Sequence, residues 1–201
     1  MTAVRFRLTR TASVRGRLFK RATHTWTGTL PGLGPVELVC PVAEDRGRDK
    51  LTARVTGQAV PPVSFRGIGF RNLPRMARAT LTADGRTARL RRRHLAVTQQ
   101  GRALHIEVAG RSYRYRVLGG RLRHELRREG AVVTTTRSQW RWPQTVSGVS
   151  QGEADALDLG LAILLEGVYT RNLSFGGALC SWPGRFLSRL DLSDLLDLWG
   201  G

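Results

Sequence analysis

The chain has 201 residues, 41% of them hydrophobic and five of them Trp, enough to bury a core without disulfide or metal staples; one domain is expected. The formal charge of +18 is far from what solubility requires, and it is uneven: residues 1–150 carry 30 Arg and Lys against 8 Asp and Glu, residues 151–201 only 3 against 7. Cys40 and Cys180 lack any Cys-x-x-Cys or zinc-type Cys/His spacing, so nothing suggests a disulfide scaffold or a structural metal, and both are read as buried free thiols.

The N-terminal stretch MTAVRFRLTRTASVRGRLFK is positively charged but has no apolar run. No signal peptide is expected, and a cytoplasmic location is. From there the dominant period is two. Val4, Phe6 and Leu8 alternate with Arg5, Arg7 and Thr9, and Leu51, Ala53 and Val55 alternate with Thr52, Arg54 and Thr56, the pattern of half-buried strands. A less regular stretch rich in Pro and Gly follows from Val60 to Pro74. Beyond it the alternation becomes nearly continuous. Ala79 and Leu81 lead through Asp84-Gly85 to Ala88 and Leu90. Leu104, Ile106 and Val108 lead through Gly110 to Tyr113, Tyr115 and Val117. Gly119-Gly120 then turns into Leu122, His124 and Leu126, and Glu129-Gly130 into residues 131–136. Tight Gly turns between alternating runs predict antiparallel hairpins in a meander of roughly ten strands.

Residues 150–169, SQGEADALDLGLAILLEGVY, are the one long segment whose apolar residues leave almost no polar face. At about 100° per residue, Asp155, Asp158 and Glu166 share a narrow arc, and Leu, Ile, Val and Ala fill the rest. Such a helix is buried on nearly every side. Its uncharged apolar run, Leu159 to Leu165, is too short to cross a bilayer, which requires about 20 residues. Ser150 and Glu153 have capping-box spacing, which predicts a core helix over about 151–170. Residues 186–201, with Asp191, Asp194 and Asp197 every third position, predict a short acidic amphipathic tail helix beyond a domain of 1–185.

A meander of this size needs its apolar face covered, and only one long helix is offered. The economical arrangement is mainly β: an antiparallel barrel or curled sheet enclosing the hydrophobic C-terminal helix, Arg-bearing faces outward. On the hairpin series Arg78 to Thr136 followed by GEADALDLGLAILLEGVYTRNL, the chain resembles the tubby C-terminal-like superfamily, including LURP-one-related proteins and phospholipid scramblases. The resemblance implies a closed barrel around the helix and makes contact with anionic lipid an expectation. It carries over no phosphoinositide- or calcium-binding residue, and about thirty residues follow the helix here where that family usually ends close to it.

Catalytic motifs do not survive inspection. Gly148-Val149-Ser150-Gln151-Gly152 fits G-x-S-x-G, but all four His precede it, whereas a nucleophile elbow requires its His afterwards. His94, His105 and His124 fall on or near neighbouring strands, with His105 and His124 expected on opposite faces. Gly67-Ile68-Gly69 lacks the rest of a dinucleotide loop, and no Walker A sequence exists. Neither an enzyme nor a cofactor is expected. What remains is the outward basic surface of Arg5, Arg7, Arg89, Arg91, Arg92, Arg93, Arg114, Arg116, Arg121, Arg123 and Arg127. Within it, Arg89, Arg91, Arg114, Arg116, Arg121 and Arg123 are the candidate anion-binding residues. Such a field attracts lipid headgroups or nucleic acid phosphates. Phe6, Tyr113 and Tyr115 alternate to the opposite face, so no base-stacking platform is expected. The expectation is a binding or regulatory module for anionic lipid, with nucleic acid backbone binding or a scaffold role without a polyanion as alternatives.

Overall fold

The computed structural model describes residues 3–15, 22–42, 51–68, 79–92, 103–118, 122–139 and 142–168. The strands are β1 (Arg5–Arg15), β2 (Ala22–Leu30), β3 (Gly34–Val42), β4 (Leu51–Gly57), β5 (Val63–Ile68), β6 (Thr80–Ala83) and β7 (Arg86–Thr87), then β8 (Arg89–Arg92), β9 (Leu104–Val108), β10 (Arg111–Val117), β11 (Arg123–Arg128), β12 (Ala131–Arg137) and β13 (Thr145–Gly152). One helix, α1 (Ala156–Gly167), follows them among the described residues. The predicted tail helix over 186–201 and Cys180 lie outside these residues, while the core helix, expected to reach about 170, ends at Gly167 with Val168 as an extended C-cap.

The thirteen strands form one antiparallel sheet in the order β7-β6-β5-β4-β3-β2-β1-β13-β12-β11-β10-β9-β8. It is a meander joined where the first strand pairs with the last, Arg5 opposite Val149 and Thr9 opposite Thr145. Its two outer members are consecutive stretches of one segment. Residues 86–87 pair with β6, the Ala88 N–H donates to the Leu81 carbonyl at 2.8 Å, and residues 89–92 pair with β9. That segment therefore spans the seam, and the sheet is a nearly closed barrel with few open edge groups.

Alternation sets the two faces. Phe6 and Leu8, Ala53 and Val55, Leu81 and Ala83, Leu104, Ile106 and Val108, and Tyr113 and Tyr115 are buried, while the Arg between them face outward. The turns follow their chemistry. Asp84-Gly85 and Ala109-Gly110 have positive φ at both positions, as a two-residue hairpin turn demands. Four strands go beyond the expected set. β2, β3 and β13 complete the barrel, and β5 lies inside the Pro- and Gly-rich stretch from Val60, because Pro61 and Pro62 precede its ladder and leave the N–H groups of Val63 onward free to pair with β4 and β6.

α1 lies inside the barrel against β3, β4 and β5 on one side and β11 and β12 on the other. All its residues from Leu157 to Gly167 are buried. Its glycines permit the close approach: a Cβ at Gly160 would sit 2.9 Å from side-chain carbons of Val60 and Val63, and one at Gly167 would sit 2.8 Å from Leu38. The helix starts later than its sequence suggested. Asp155, not Ser150, is the N-cap: its carboxylate accepts from the Leu157 and Asp158 N–H groups, and Asp158 accepts from the Asp155 N–H at 2.9 Å. Ser150 and Glu153 have the right spacing, but strand pairing claims their backbone first, since Ser150 N–H donates to Val4 and Glu153 N–H to Gly130.

Gly148 and Ser150 of the G-x-S-x-G stretch thus lie in an antiparallel strand, with Ser150 buried. Gly148 is there because the Phe6 ring lies directly over it, where any Cβ would collide with ring carbons. Gly148→Ala is expected to lower stability by about 1–3 kcal/mol through overpacking. A denaturant midpoint equal to wild type would show that Phe6 can move away freely.

Candidate functional site

Inside the barrel, the narrow polar arc of α1 meets β10, β11 and β12. Asp158 accepts from Tyr113 Oη at 3.0 Å and from Arg128 Nε at 2.9 Å; Arg111 pairs with Asp155 and lies 3.7 Å from Asp158. Two turns on, Glu166 Oε1 accepts from Thr135 Oγ1 at 2.6 Å and Tyr115 Oη at 3.3 Å, and lies 2.8 Å from His124 Nδ1. Arg137 Nη2 donates to the Glu166 carbonyl at 2.9 Å, and its Nε lies 3.2 Å from Oε2 as an ion pair not aligned for a hydrogen bond. The spacings match: eight residues of helix rise about 12 Å, and four residues of strand from Arg128 to His124 about 13 Å. Burial alone would raise the Glu166 carboxyl, but His124 above all, with Arg137 and Thr135, holds it at about 2. Burial pushes the Tyr113 hydroxyl to about 12, so it donates to Asp158 as a neutral phenol.

At the end of the barrel where α1 finishes, Cys40 Sγ donates to the Gly167 carbonyl at 3.1 Å, and burial pushes that thiol to about 12. Nearby, the buried His24 ring lies 4.2 Å from Trp142 and 5.9 Å from Trp26, its Nδ1 without a hydrogen-bond partner among the described residues. Trp26 Nε1 donates to the Pro143 carbonyl at 2.7 Å and Arg10 to the Trp142 carbonyl at 2.9 Å. Burial, then the Arg10 charge, lowers the His24 value below the ordinary 6.5. The unfolded chain therefore takes up this proton first, and stability present above pH 6.5 declines as pH falls toward the folded value. His24→Gln is expected to flatten the fall in melting temperature between about pH 7 and pH 5, and an unchanged fall would remove His24 as its cause.

Asp158, Glu166, His124, Arg137 and His24 are enclosed, whereas Arg111 and Asp155 are partly exposed and the outer wall is open to a partner. Strand register sets Arg91 of β8, His105 of β9, Arg114 of β10 and Arg127 of β11 side by side. At about 4.8 Å between strands, this row spans about 14 Å. Arg89 and Arg116 lie on the same face, as does Arg123, and the wall continues through β12 and β13 to Arg5 and Arg7. Charge on it is partly balanced: Glu125, buried beneath its neighbours, lies 2.8 Å from Arg116 and 3.4 Å from Arg127, and Glu107 lies 3.9 Å from Arg89.

Of the six candidate anion-binding residues, Arg89, Arg91, Arg114, Arg116 and Arg123 therefore share one outer face; Arg121 lies outside the described residues, as do Arg93 and His94. His105 points outward and His124 inward, as their alternation predicts. The row reading adds His105 and Arg127 to the candidate set. Phe6, Tyr113 and Tyr115 are buried, so among the described residues they offer that wall no stacking ring. Among the described residues no group of three or more His, Cys, Asp or Glu is placed to hold a metal ion, and no helix is long and apolar enough to cross a membrane. No family model, curated protein or solved structure matches the chain.

Proposed function

We propose that the protein is a non-enzymatic binding module that sets its basic outer wall against anionic lipid headgroups, on a cytoplasmic membrane face. The observation carrying this reading is the register of Arg91, His105, Arg114 and Arg127 across four adjacent strands. With Arg89, Arg116 and Arg123 above and below that row, the charge forms a two-dimensional array. Such an array suits a plane of phosphates, where each basic residue near the surface contributes about 1 kcal/mol. A nucleic acid presents its phosphates along a line, and its single-stranded forms call for aromatic faces, which Phe6, Tyr113 and Tyr115, buried on the other side of the sheet, do not offer. The resemblance to the tubby C-terminal-like superfamily rests on architecture, a meander barrel around a hydrophobic helix, and supports the same reading.

The test is retention on anionic vesicles, heparin and duplex DNA across a salt series. Replacing Arg91, Arg114 and Arg127 together by Gln is expected to weaken vesicle binding by about two orders of magnitude, from about 1 kcal/mol each, with circular dichroism unchanged. Vesicles matched in total charge but differing in phosphoinositide content separate a diffuse field from a fitted headgroup pocket, because the former is screened within about 8 Å at physiological salt. Retention on DNA alone, with a salt slope reduced by about 0.9 per lost contact, would assign the wall to nucleic acid. Binding to none of the three at physiological salt would reject the reading.

A further inference from the structure

We propose that Arg116 and Arg127, held from beneath by Glu125, form a clamp for one lipid headgroup phosphate within the outer wall, with Glu125 as its positioning residue. This inference rests on the lipid-binding reading above and names the point on that wall where a phosphate is gripped. Register makes a square of four side chains on the outer face: Arg114 stands opposite Arg127, and Arg116 opposite Glu125. Three corners are basic and one is acidic. Glu125 has an outward phase, opposite to that of His124 and Leu126, yet it is buried. Arg116 and Arg127 reach over it: their side chains are 27% and 56% exposed, against 9% for that of Glu125.

Both guanidinium groups meet the same oxygen. Arg116 Nε donates to Glu125 Oε1 at 2.8 Å and Arg127 Nε lies 3.4 Å from it, so the two Nε atoms can be no farther apart than those distances together. A guanidinium tethered at Nε keeps its terminal Nη1–Nη2 edge, with most of its N–H donors, turned away from the carboxylate. Here that direction leads from a buried acid toward solvent. Two such edges side by side match the oxygens of one phosphate, which a guanidinium binds bidentately. Glu125 thus fixes rotamers that binding would otherwise have to immobilise, and affinity rises by preorganisation. Glu107 offers a contrast: it and Arg89 lie 3.9 Å apart and are 47% and 62% exposed, a loose surface pair that fixes neither side chain.

The sign of one substitution separates a clamp from a diffuse field. Glu125→Gln removes a negative charge from the wall, and a diffuse field alone would then hold anionic vesicles about fivefold more tightly. The clamp predicts the reverse. A neutral amide does not offset the repulsion between two guanidinium groups, so both side chains must be ordered on binding, and binding is expected to weaken about fivefold. The experiment uses the full chain and phosphatidylcholine vesicles carrying phosphatidylglycerol, with circular dichroism confirming the fold of each variant. Arg116→Lys combined with Arg127→Lys keeps the wall's charge and removes both forks; it should bind about tenfold more weakly than wild type. Adding Glu125→Gln to that background should tighten binding about fivefold, because only the charge effect is left. Tighter or unchanged binding by Glu125→Gln in the wild-type background would overturn the proposal while leaving the lipid reading intact. Weakening of equal size in both backgrounds would overturn it too, since Glu125 would then act through the fold and not through the two Arg. Release of wild type from the vesicles by millimolar inorganic phosphate at constant ionic strength would assign the clamp to free phosphate and overturn the headgroup as its ligand. If wild type binds no vesicles, the lipid reading itself fails and this inference falls with it.

Discussion

Leu164→Asp is expected to leave the protein unfolded or insoluble. Leu164 is fully buried on α1. Helical geometry turns it about 160° away from Glu166, so it points away from the cations that hold the polar arc. A carboxylate there would have no partner, and an isolated buried charge costs several kcal/mol, a large part of the 5–15 kcal/mol that holds a domain of this kind together. The milder Leu164→Ala, which removes only packing, is expected to cost about 2–5 kcal/mol and to melt cooperatively at a lower temperature. Soluble Leu164→Asp protein with wild-type circular dichroism and melting temperature would overturn the enclosed-helix arrangement.

The second large effect concerns the charge clamp at the other face of the same helix. Arg137→Met removes both the ion pair to Oε2 and the donor to the Glu166 carbonyl, leaving the buried carboxylate to His124, Thr135 and Tyr115. Breaking a buried pair from one side is expected to cost about 3–5 kcal/mol. Arg137→Met combined with Glu166→Gln should cost clearly less than the sum of the two single changes, because the second removes the charge that the first strands. Strict additivity in denaturant midpoints would show that the two groups do not act on each other. The same carboxyl carries an acid signature. Its value of about 2 lies below the ordinary 4.5, so its contribution is fully present above pH 4.5 and lost as pH falls toward 2. Glu166→Gln should flatten stability across that window, and identical acid profiles for the two proteins would remove Glu166 as the cause.

Local periodicity was enough to determine the class of this fold. The period-two runs, the Gly turns and the nearly all-apolar segment around Leu161 report on faces within a few residues, and burial acts on those faces wherever the chain goes. Phase even separated two kinds of Arg. Arg111 shares the phase of Tyr113 and Tyr115, Arg128 that of His124 and Leu126, and Arg137 that of Val133 and Thr135, while Arg91, Arg114 and Arg127 fall on the opposite phase. Three Arg on the inward phase, and three acids on one arc of a buried helix, were therefore a legible mark of internal pairing. Which Arg meets which acid was decided in three dimensions, since Arg128 and Asp158 are 30 residues apart and Arg137 and Glu166 are 29.

The tertiary structure alone settled the helix start and the composition of the outer row. At Ser150 and Glu153, cap spacing and strand pairing compete for the same backbone N–H groups; pairing wins because β1 and the 129–130 turn lie alongside, and neither is local in sequence. His105 likewise carries no local sign of its setting. Alternation places it on an outer face but says nothing of its neighbours, because a side chain's partner across a strand depends on register, and register depends on every turn and bulge between the strands.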